Sequence, residues 1–133
     1  MALNNAYAQY KENTVYTARP EELTLMLYNG LVKFVMQAQQ GLGERNIEKT
    51  NNSIIRAQDI LLEFEATLNK KYTISHNLSL IYDYMNRRLI EANIKKDDII
   101  LEEVLGISKE LRDTWEQAIK IARQRNKVPP VAE

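Results

Sequence analysis

The chain has 133 residues, 44% of them apolar and 27% charged, values that exclude a disordered chain and suit one domain with one core. Eighteen basic side chains balance 18 acidic ones, so no net field exists to recruit nucleic acid or an anionic membrane. There is no Cys, which removes disulfides, thiolate metal sites and Cys nucleophiles together.

Residues 1–18 open the chain with a Tyr7-x-x-Tyr10 pair and too few apolar residues for an independent helix. Three positions apart, the two tyrosines fit one apolar groove as a single turn, offering large contact area at low rotamer cost. A permanent N-terminal cap and a displaceable plug both answer to that pattern. Residues 1–12 carry neither a basic region nor an apolar run, so no secretory signal is expected. The longest apolar stretch, residues 23–36, is too short to span a bilayer and contains Asn29 and Lys33. The expected location is the cytoplasm.

The first helix is predicted to start at Pro20, whose missing N–H costs nothing there, with Glu21 and Glu22 favourable to the helix dipole. Arg19 is a poor N-cap, which leaves the early amides to Thr17 or water. Gly41 and Gly43 are the expected stop. One apolar face gathers Leu23, Leu27, Gly30, Leu31, Phe34 and Ala38. A second set, Leu25, Tyr28, Val32, Val35 and Met36, points elsewhere, and only Asn29, Lys33, Gln37 and Gln40 make a polar strip. Such a helix is either central, covered by three neighbours, or partly a groove for a partner helix. Both readings use the same residues. The candidate partner-binding residues are Tyr7, Tyr10, Leu25, Tyr28, Val32 and Met36, with Leu25, Tyr28 and Val32 as the groove wall.

The second helix spaces Ile47, Thr50, Ile54, Ala57, Leu61, Phe64 and Leu68 in steps of three and four behind an Asn46 cap, a heptad seam. The third runs through Leu78, Tyr82, Met85, Leu89 and Ala92, with Ser75 as its expected cap. The fourth runs through Leu101, Val104, Ser108, Leu111, Trp115, Ala118 and Ala122, opened by Asp97 or Asp98. Short connections make successive helices antiparallel neighbours. The expected architecture is all-α: an antiparallel four-helix bundle over residues 19–122, an N-terminal segment, 1–18, docked on it, and a disordered tail, 123–133. Helices of roughly 20 to 25 residues make a bundle about 30 to 35 Å long.

Little in the chain points to catalysis. His76, the single histidine, falls at a helix start, where a phosphotransfer histidine would need mid-helix exposure beside a basic residue. One histidine cannot supply the two Glu-x-x-His motifs of a di-iron bundle, and no Gly-rich phosphate loop is present. Arg87-Arg88 and Lys95-Lys96 lie among Asp83, Glu91, Asp97 and Asp98 and read as helical ion pairs. Ser108 is expected to bond its own helix backbone. Trp115 fits core packing, or a partner contact at the bundle end. No enzyme activity, cofactor or metal is expected.

Several longer stretches carry a resemblance: Tyr7-x-x-Tyr10, the run of residues 20–30 from Pro20-Glu21-Glu22-Leu23 to Tyr28-Asn29-Gly30, the run of residues 82–93 containing Tyr84-Met85-Asn86-Arg87-Arg88-Leu89, and Leu111-Arg112-Asp113-Thr114-Trp115. In this order, over residues 6–121, the chain resembles the flagellar export chaperones of the FliS family. Arg19 departs from the small residue expected before Pro20. The resemblance implies an antiparallel four-helix bundle around which the C-terminal segment of flagellin wraps, the chaperone's own N-terminal segment moving aside. It further implies delivery to the flagellar export gate, and leaves open an anti-sigma factor as a second partner. A generic helical adaptor for another amphipathic segment is the runner-up reading; a phosphotransfer domain comes third.

Overall fold

Four helices make up nearly all of the described residues, 19–127, of the computed structural model: α1 (Pro20–Gly43), α2 (Ile47–Thr67), α3 (Thr73–Lys95) and α4 (Asp98–Lys127). The readings of Tyr7, Tyr10, Thr17 and residues 128–133 lie outside the described residues. Cross-helix bonds give the directions. Trp115 on α4 reaches Glu21 near the start of α1, whereas Gln39 near its end reaches Glu102 near the start of α4. Gln58 and Glu65 of α2 meet Asn86 and Ser79 of α3 in the same reversed order. Each helix is therefore antiparallel to the next, α1 lying between α2 and α4 and α3 between the same two. The expected bundle forms.

Its core is built from the predicted seams of α2 and α3. Ile54, Ala57, Leu61 and Phe64 face Tyr82, Met85, Leu89 and Ala92, all buried. Ile47, expected to begin the α2 seam, stays exposed, and burial starts one turn later at Thr50. Asn46 caps α2 as expected, its Oδ1 accepting the Lys49 N–H at 3.0 Å. Asp97 does the same for α4, accepting the Ile99 N–H at 2.9 Å. Ser75 is no cap: α3 begins at Thr73 after Tyr72, and Ser75 is buried in its first turn.

The end of α1 differs from its expected mechanism. No glycine takes a positive φ; the reversal is made by Arg45 at φ 56°. Gly41 instead provides closeness. A Cβ there would lie 2.5 Å from Thr50 Oγ1 and 2.9 Å from Thr50 N, so α2 can start against α1 only over a bare Cα.

Along α4 the seam holds through Ser108, whose Oγ donates to the Val104 carbonyl at 2.7 Å, and through half-buried Leu111 and Trp115. Then it slips by one residue: Ile119 is buried, whereas Ala118 and Ala122 are exposed. A straight helix drifts about 20° per heptad against a 3.5-residue repeat, enough over 30 residues to bring the next position inward. α4 also runs to Lys127, five residues past the expected boundary. Arg123 pairs there with Glu22 at 2.6 Å, and good helix formers continue until the prolines.

Candidate functional site

α1 buries Tyr28, Leu31, Val32, Val35 and Ala38, residues drawn from both of its apolar sets. α2 and α4 pack along its length, and α3 reaches it through Tyr82, whose hydroxyl meets that of Tyr28. What remains half-buried faces outward beside α2. Leu23, Met26, Leu27 and Phe34 join Ile60 around a channel of about 290 Å³, with Arg56 and Asp59 on its rim. Gly30 sits in its floor, where a Cβ would meet Ile60 Cδ1 at 3.2 Å. Over Phe34 stand two cations, Lys33 Nζ 5.5 Å and Arg56 Cζ 5.8 Å from the ring centroid.

A second channel, about 360 Å³, runs on the opposite flank between α3 and α4. Ile74, Leu78 and Ile81 form one wall, Ile107 and Leu111 the other, and Tyr28 and Trp115 close it. A third cavity of about 400 Å³ lies at the bundle end, with Ala118, Ile119 and Ala122 beneath Arg19 and Arg123. Trp115 borders this one too.

Between the flanks lies a buried aromatic cluster. Phe64 stacks on Tyr28 and Tyr82 with centroids 4.4 and 5.2 Å apart, and the two phenol oxygens share a hydrogen bond of 2.6 Å. Burial pushes both phenols above the ordinary tyrosine range, so each is a neutral donor or acceptor at physiological pH. On the outer face of α3 and α4, Arg88 donates to Glu103 at 2.8 Å and holds its carboxyl below the usual range, with Tyr84 donating to the same group. Arg87–Asp83 and Lys95–Glu91 form the expected helical pairs, while Lys96 turns to the side-chain carbonyls of Asn51 and Asn93.

Of the described residues expected to bind a partner, only Tyr28 lines a channel, and it is 5% exposed. Val32 is 5% exposed and points into the core, Leu25 is half-buried outside the channels, and Met36 is half-exposed on α1. Of the residues lining the α3–α4 channel, Leu78 and Leu111 belong to the expected seams; Ile74, Ile81 and Ile107 are not singled out by the sequence reading, yet they lie three or four positions from those two, a legible signal.

No group of three metal-binding side chains occurs among the described residues, and no described helix is long and apolar enough to cross a membrane. The family model described as "Flagellar protein FliS" matches residues 3–122. The flagellar secretion chaperone FliS of Bacillus subtilis is 46% identical over 124 residues, covering 93% of each chain. That of Salmonella typhimurium is 33% identical over 116 residues, 84% of this chain and 86% of the relative. That of Escherichia coli is 29% identical over 118 residues, 86% and 87%. A four-helix bundle with apolar channels on its flanks, matched in sequence over almost its whole length, places its own ancestry: the chain belongs to the FliS family of flagellar proteins.

Proposed function

We propose that the chain is a non-enzymatic export chaperone that binds the C-terminal segment of flagellin in the cytoplasm and delivers it to the flagellar export gate. The observation that carries this reading is the pair of apolar channels on opposite flanks of the bundle, which no described residue fills. Each is walled by aliphatic side chains at helical spacing, the surface an amphipathic helix needs. A segment that occupies both must pass round the bundle, so it is held as separate short pieces and cannot form the continuous packing of a filament. Ordering a disordered partner opposes binding, which lets a large contact area coexist with release at the export machinery. In this reading the N-terminal Tyr7-x-x-Tyr10 segment is a displaceable cover for one of these surfaces.

Calorimetric titration of the full chain with the C-terminal segment of its flagellin tests the proposal. One-to-one binding without ATP is expected, with a buried area above about 2,000 Å² and a large negative heat-capacity change. A folded chain that shows no association would overturn it and leave an adaptor for another amphipathic segment.

A further inference from the structure

The two flanking channels are alike in size and differ in charge: Arg56 and Asp59 line one, Glu110 the other. Phe34, which lines the α1–α2 channel, is approached by Lys33 from α1, outside the lining, and by Arg56 from α2, within it, so two like charges come to one half-buried ring. Among the described residues neither has a carboxylate within ion-pair distance. Asp59 lines the same channel three residues on from Arg56, yet the guanidinium lies over the ring and not on that carboxylate. Two cations above an apolar surface repel weakly in water and gain most when an anion is seated between them. Among the described residues that line the α3–α4 channel, Glu110 is the only charged one.

We infer that the α1–α2 channel is the seat of an acidic amphipathic helix, its aliphatic stripe on Leu23, Leu27 and Phe34 and a carboxylate at the stripe's edge meeting Lys33 and Arg56. This rests on the proposed chaperone function and assigns parts of the bound segment to flanks. The same helix laid in the α3–α4 channel would set its carboxylate against Glu110, a like-charge contact in a surface drying as it closes. Charge therefore sorts the acidic part of a wrapped segment to one side and fixes the direction in which the segment winds.

The test titrates three full-length proteins with the C-terminal flagellin segment over a salt series. They are the wild type, the double variant Lys33→Glu with Arg56→Glu, and a control, Lys71→Glu with Lys109→Glu. The control makes the same charge change at exposed residues that line no channel. The channel variant should bind at least about tenfold more weakly at low salt, and its residual affinity should no longer fall as salt rises. The control should change affinity by less than about fivefold. Two synthetic helical peptides with one leucine stripe, edged by Glu or by Lys, form the second arm. The wild type should prefer the Glu peptide and the channel variant the Lys peptide. Should the channel variant lose helicity, Lys33→Gln with Arg56→Gln replaces it, and this neutral pair should bind flagellin more weakly than the control and lose the preference between peptides. A channel variant that binds like the control, or no preference between peptides, overturns the inference and leaves the chaperone function standing. No flagellin binding by the wild type removes the function itself, and the inference with it.

Discussion

Replacing Tyr82 by Phe deletes half of the buried hydroxyl pair and strands the Tyr28 hydroxyl, which shares a 2.6 Å bond with it in the native chain. Both rings remain stacked on Phe64, so apolar burial and aromatic contact are retained and the change isolates one interaction. The lost bond is worth about 0.5–1.5 kcal/mol net, and the unpartnered hydroxyl adds desolvation, for a total of about 1–3 kcal/mol. Tyr28→Phe should cost the same by the same reasoning. The double replacement strands nothing and should cost about 1 kcal/mol or less, a coupling of at least about 1 kcal/mol between the two sites. Urea unfolding of the four proteins, followed by circular dichroism and with equal m-values as the condition for comparison, measures the cycle. Costs that add within about 0.5 kcal/mol would refute the reasoning, because they would mean that each hydroxyl is satisfied without the other.

The same pair sets the alkaline limit. Folding raises both phenol pKa values, so their contribution to stability is complete below about pH 10 and is lost as pH climbs through the folded values; the double Phe variant should lose less stability than the wild type between neutral and strongly alkaline pH. Gly41→Ala should destabilise by about 1–3 kcal/mol despite its better helix propensity, since the added methyl meets Thr50 backbone. Gly106→Ala, mid-helix and with nothing within 4 Å of the added carbon, should stabilise by about 0.5–1 kcal/mol in the same denaturation assay. Val32→Glu should abolish cooperative unfolding, because a carboxylate would replace a side chain buried in the core; a native circular-dichroism spectrum would place Val32 on the surface after all.

Where one helix face meets water and the opposite face meets the core, the sequence pattern was readable. The predicted seams of α2 and α3, from Thr50 to Phe64 and from Tyr82 to Ala92, are buried, with Ser53 and Ser75 added to them. α1 defeats that pattern because its two apolar sets serve several neighbours and a channel at once. Periodicity gives the angle of Val32 and Phe34 around the helix, not which neighbour stands at that angle. Hence Val32, expected on a groove wall, lies inside, while Phe34, on the face not singled out for a partner, lines a channel. The close approach at Gly41 was hidden for a similar reason: a glycine near a helix end has the same sequence signature whether it turns the chain or admits a neighbour. The charge contrast between the channels needs residues 33 and 56 side by side, a fact only the fold supplies.

Trp115 donates its indole N–H to the Glu21 carbonyl at 2.9 Å and forms part of the wall of two cavities. It is also the chain's single tryptophan. Emission excited where indole absorbs and phenol does not therefore comes from one place, at the junction of α1 and α4, half in water. Any chain laid into the α3–α4 channel or the end cavity must dry that indole and move its emission toward the blue, while fraying of the junction must move it toward the red. The protein thus carries an optical gauge of its own occupancy, readable in real time without a label.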